Sequence, residues 1–127
     1  MKYGYSKTTN LSFEQAVEKI TDELKKEGFG VLTEIDVKET LKKKLNVDFK
    51  KYKILGACNP PIAHKALQIE EELGLLLPCN VIVYEKNEKT VVSVFNPMVM
   101  PQLLENKDME AFAEDVKSKL LSALERV

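Results

Sequence analysis

The residues best suited to chemistry lie between Gly56 and Asn80, in "GACNPPIAHKALQIEEELGLLLPCN", which holds both cysteines, the only histidine and three of the five prolines. Cys58 and Cys79 could act as a thiolate nucleophile, a redox pair or two soft metal ligands, with His64 as a base or third ligand. Each thiol is followed by an asparagine, Asn59 and Asn80, whose amides suit either a ligand contact or a backbone cap. The candidate ligand-binding set is therefore Cys58, Asn59, His64, Cys79 and Asn80. Cys58 and His64 are the candidate catalytic pair, and Cys58, Cys79 and His64 the candidate metal ligands. A closed zinc centre wants four ligands, usually including a tight C-x2-C pair, and no such pair occurs. The competing structural reading is that both cysteines are buried as small hydrophobes and that His64 is an exposed helix residue.

Other chemistry is weaker. Glu34 and Asp36 share a strand face but Asp36 is explained as a helix cap. The run "KKKLNVDFKKYK" interleaves six lysines with Phe49 and Tyr52, as a single-strand nucleic-acid platform would. Its lysines also suit a helix C-terminus and a solvated strand edge. With 19 basic and 20 acidic residues the formal net charge is −1, so the expectation is no nucleic-acid partner. No phosphate-binding glycine loop, G-x-S-x-G elbow or H-E-x-x-H motif is present.

The elements that must position the thiols follow from periodicity. "SFEQAVEKITDELKKEG" spaces Phe13, Ala16, Val17, Ile20 and Leu24 along one helical stripe. Ser12 and Gln15 form a capping box ahead of it, Leu11 can staple against Ala16, and Gly28 supplies a left-handed stop. "KYGYSKTT" and "FGVLTEID" read as flanking strands, the second with Phe29, Val31, Thr33 and Ile35 on one face. Asp36 caps a short helix with Val37, Leu41 and Leu45 on its apolar side, ended by Asn46. "YKILGAC" is a third strand, and Asn59-Pro60 starts a helix predicted to run to Leu73 and stop at Gly74. "CNVIVYEK" and "TVVSVFN" form a hairpin through "NE", Pro97 and Pro101 bracket an irregular bend, and a closing helix begins at an Asp108 cap.

Without the two short helices the order is strand, helix, four strands, helix. That predicts one α+β domain over residues 1–127, with a largely antiparallel curved sheet covered on one face by two long helices. Leu32, Ile82, Tyr84, Val91 and Phe95 then fall on the other face, and a homodimer through the sheet face or edge would bury them. The apolar run of a signal peptide and an 18-residue membrane span are both missing, so a cytoplasmic protein is expected, with its thiols reduced.

At "GFGVLTEIDV", "ILGACNPPIAHKAL" and "GLLLPCNVIVYE" the chain resembles the domain of unknown function 302 (DUF302) family, over roughly Gly28 to Pro97. The resemblance implies a TATA-binding-protein-like topology, commonly seen as a dimer, and brings no agreed reaction or cofactor. Many members carry a histidine after the Ile-Asp pair, where this chain has Val37, and other members lack the two Cys-Asn pairs. Two functions stay open. The first is a dimeric, non-enzymatic module binding a small molecule or partner near Cys58 and Cys79, with thiol-redox or soft-metal sensing as variants. The second is a small enzyme with Cys58 as nucleophile and His64 or an acidic residue as base.

Overall fold

The computed structural model describes residues 2–127. Strand β1 (Gly4–Thr9) leads to helix α1 (Phe13–Lys26), where Ser12 Oγ accepts the Gln15 N–H and Gln15 Oε1 accepts the Ser12 N–H. Gly28, at φ +87°, turns the chain into strand β2 (Gly30–Asp36). Asp36 accepts the Glu39 N–H to start helix α2 (Val37–Leu45), which left-handed Asn46 ends. Strand β3 (Tyr52–Cys58) feeds helix α3 (Pro60–Ile69), followed by strands β4 (Cys79–Lys86) and β5 (Lys89–Phe95). Asn87 and Glu88 both have positive φ, the conformation a two-residue hairpin needs to match the strand twist. Helices α4 (Val99–Leu104) and α5 (Glu110–Glu125) complete the chain.

The sheet order is β1-β5-β4-β3-β2, antiparallel throughout, so the expected α+β class and topology are present. Leu55, Ala57, Cys79, Val81, Val83, Val92 and Val94 point to one face and pack with Ile20 and Leu24 of α1 and Val116 and Leu120 of α5. The register places Ile35, Ile54, Ile82, Ser93 and Ser6 in a row across the other face. Beside that row Tyr52 stacks on Tyr84 at 5.3 Å. No described helix is long and apolar enough to cross a membrane.

Four local expectations change. A β-bulge between Val31 and Thr33 pushes Leu32 out of register, so Val31 and Thr33 no longer share a face and Leu32 is 67% exposed. Helix α3 stops at Ile69, where Glu70 is extended ahead of a 3-10 turn (Glu71–Leu76). The bend at Pro97 and Pro101 contains α4, with Pro101 in its first turn, where a missing N–H costs nothing. The Asp108 cap is replaced by Asn106, whose side chain accepts the Asp108 N–H and opens a 3-10 turn (Lys107–Met109) leading into α5. Helix α2 buries none of its residues, and its apolar side stays at the surface.

The two long helices are tied at one end by a carboxylate. Glu23, only 1% exposed, accepts from Lys26 Nζ at 2.7 Å, Arg126 Nε at 2.5 Å and Lys19 Nζ at 3.4 Å. Hydrogen bonds from Lys26 and then Arg126 lower its pKa from 4.5 to about 2, against the opposing effect of burial. Because the folded value lies below the unfolded one, the stability it contributes is complete above pH 4.5 and is lost as pH falls towards 2. Acid unfolding followed by circular dichroism should therefore steepen in that window, and E23Q should flatten the dependence there. An E23Q profile parallel to the parent would contradict this role. Lys7 Nζ ties strand β1 to the end of α5, donating to the carbonyls of Glu125 and Val127.

Candidate functional site

A cavity of about 300 Å³ lies at the end of the sheet where β3 finishes and β4 begins. Helix α3 faces it with Asn59, Ile62, Ala63 and Ala66, residues that helical spacing puts on one stripe. The sheet contributes Ala57, Cys58, Pro78 and Cys79, and the bulged start of β2 adds Leu32 and Thr33. Met100 from α4, Met109 and then Phe112 and Val116 of α5 close the far side. Thr33 and Pro78 approach closely because Gly56 lies beneath them: a Cβ there would stand 2.1 Å from Thr33 Oγ1 and 2.7 Å from Pro78 Cγ.

Of the candidate residues, the structure brings Cys58, Asn59 and Cys79 to this cavity and leaves His64 and Asn80 outside it. His64 is exposed on α3, with Nε2 3.4 Å from Gln68 Nε2. Asn80 is exposed on the outer sheet face, opposite Gly56. Asn59 caps α3: its Oδ1 accepts the Ile62 N–H at 3.5 Å and its Nδ2 donates to the Glu27 carbonyl at 3.4 Å. That second bond requires Gly28, since a Cβ at Gly28 would stand 2.9 Å from Asn59 Nδ2. Glu34 pairs with Lys53 at 2.8 Å.

Both thiols are free. Burial pushes the Cys79 thiol up to about 11, and Cys58 adds to the shift, so Cys79 is a neutral thiol at physiological pH. Among the described residues no three His, Cys, Asp or Glu side chains gather as a metal site. None of the cavity-lining residues is Asp, Glu, Lys, Arg or His. The cavity, open to solvent beside exposed Leu32 and Thr33, is thus lined without charge, with the Thr33 hydroxyl, the Asn59 amide and the thiols as its side-chain polar groups. Alkylation at pH 8 should accordingly modify half-buried Cys58 in the native protein and reach Cys79 only on unfolding. Equal rates at both thiols before unfolding would contradict the assigned environments.

Sequence reasoning missed Met100, Met109, Phe112 and the two alanines of α3 as neighbours of the thiols. A signal for the alanines existed: Asn59, Ile62, Ala63 and Ala66 fall on one stripe, and His64, at about 100° per residue, falls off it.

A family model described as "Domain of unknown function DUF302" matches residues 5–127. Among solved structures, the crystal structure of an uncharacterized conserved protein DUF302 from Bacillus stearothermophilus is 29% identical. The match covers 99% of this chain and 98% of that one, with a TM-score of 0.93. No curated protein matches significantly.

Proposed function

The chain belongs to the DUF302 family, and from that premise we propose that it is a non-enzymatic binding domain that takes a small, uncharged, largely apolar molecule into the cavity beside Cys58 and Cys79. The observation that carries this reading is the lining: a cleft of about 300 Å³ with no charged side chain favours a neutral, largely apolar guest, because its walls offer an ion no opposite charge in place of the water it would lose. At about 30 Å³ per water-sized group, the space suits roughly ten non-hydrogen atoms. A bare soft metal would fill little of it, and among the described residues no third His, Cys, Asp or Glu joins the two thiols there as a ligand.

The enzyme alternative is less well supported. A cysteine nucleophile needs a base within hydrogen-bond reach, His64 does not line the cavity, and no acidic residue does. The neutral Cys79 thiol likewise favours packing over redox exchange.

Saturating indole, which is neutral and has about nine non-hydrogen atoms, a size the cavity volume accommodates, should raise the thermal unfolding midpoint, as any ligand of the folded state does. Erythritol at the same concentration should leave it unchanged. An equal response to both, or none to indole, would count against an apolar site.

The same reading includes a homodimer on the outer sheet face, supported by the apolar row of Ile35, Ile54 and Ile82. Ile35, 48% exposed on the edge strand, can be changed without opening the core. Sedimentation equilibrium should find a dimer that I35K weakens, and a parent protein that stays monomeric at high concentration would remove this part of the proposal.

A further inference from the structure

We infer that the guest is a planar aromatic molecule, recognised by sulfur. The chain has two cysteines and four methionines, and four of these six sulfur-bearing residues, Cys58, Cys79, Met100 and Met109, line the one cavity. They arrive from separate segments: the end of β3, the start of β4, α4 and the 3-10 turn ahead of α5. No local pattern explains the convergence, and a cavity meant only to be apolar is served as well by leucine. Sulfur is distinguished from a methylene by its polarisability and its favourable contacts with aromatic ring edges. Phe29 and Phe112, which also line the cavity, add ring surfaces against which a flat guest stacks or meets edge to face. Thioethers on flexible, unbranched side chains also close around a flat body more readily than branched aliphatic side chains do.

This inference rests on the proposed apolar site but makes a prediction that site alone does not. Naphthalene and decalin each have ten carbons in two fused six-membered rings, a number that suits the cavity volume. Decalin is the more hydrogen-rich and exposes the larger apolar area. A cavity selecting by area alone prefers decalin; a sulfur-lined one prefers naphthalene.

Both are titrated into the full chain, with binding followed by the backbone amide signals of Ala57 and Cys79. The expected result is at least about tenfold tighter binding of naphthalene, consistent with a few sulfur–aromatic contacts acting together. The double variant M100L/M109L, which keeps side-chain volume, should lose most of the preference for naphthalene over decalin. If that variant fails to fold, M109L alone should reduce the preference in the same direction. Equal or tighter binding of decalin by the parent overturns the aromatic assignment while leaving the apolar site standing. Failure of both hydrocarbons to bind overturns the two together.

Discussion

Replacing Gly56 with alanine is expected to lower the unfolding free energy by about 1–3 kcal/mol, the range for forcing a methyl group into a filled space. The new Cβ would stand 2.1 Å from Thr33 Oγ1 and 2.7 Å from Pro78 Cγ. Thr33, at the surface, can rotate its hydroxyl away. Pro78 cannot, because its ring is rigid and it adjoins Cys79 at the start of β4, so either that strand or β3 must shift. Gly56 also lies between Leu55 and Ala57, both buried, in a strand with neighbours on each side. Any shift is therefore passed to the core and to the cavity wall. Urea unfolding of G56A should show a lower midpoint with little change in slope. The double variant T33A/G56A should recover only part of the loss, because the proline contact remains. A G56A protein as stable as the parent would mean that the β3 and β4 ends are not packed as described.

Enlarging Ala66 to leucine is expected to abolish guest binding, by about a hundredfold or more, while leaving the fold intact. Ala66 is buried on α3, lines the cavity and packs with Leu73, Met100 and Met109. Three added carbons occupy space the guest would use. Each buried methylene contributes up to about 0.8 kcal/mol, so A66L should unfold at an equal or higher temperature than the parent. The two readouts separate obstruction from damage. Loss of indole binding with retained stability supports the site, whereas unaltered binding would place the guest elsewhere. A63L approaches the same space from the previous turn of α3 and should act similarly.

The parts of the fold written in neighbouring residues were legible. Ser12 with Gln15, Asp36 with Glu39, and the Asn87-Glu88 turn each act over a few residues, so the spacing itself reveals the contact. The overall order of strands and helices followed from the same signals, and so did the family. What escaped were features decided by tertiary placement. The bulge at Leu32 reverses the alternation on which the face assignment of β2 relied. Helix α4 is hidden in the sequence because Pro97 precedes it and Pro101 lies within it, although Pro101 sits in the first turn, where proline is harmless. The cavity is assembled from residues spread between Phe29 and Val116, and no window of sequence contains it. Cys58 and Cys79 were picked out by residue type and do reach the same place, but the methionines opposite them gave no sign of doing so. Proximity in sequence made His64 look like their partner, whereas the turn of α3 carries it to the surface.

The central claim, that this cavity takes up a neutral apolar guest, is tested most directly at its own walls. With methionine ε-methyl groups isotopically labelled, naphthalene is titrated and the methyl resonances are followed by NMR. The account predicts saturable shifts at Met100 and Met109, and a Met98 resonance, outside the cavity lining, that stays in place. Unmoved Met100 and Met109 signals up to the solubility limit of the hydrocarbon, or shifts of the same size at Met98, would contradict it.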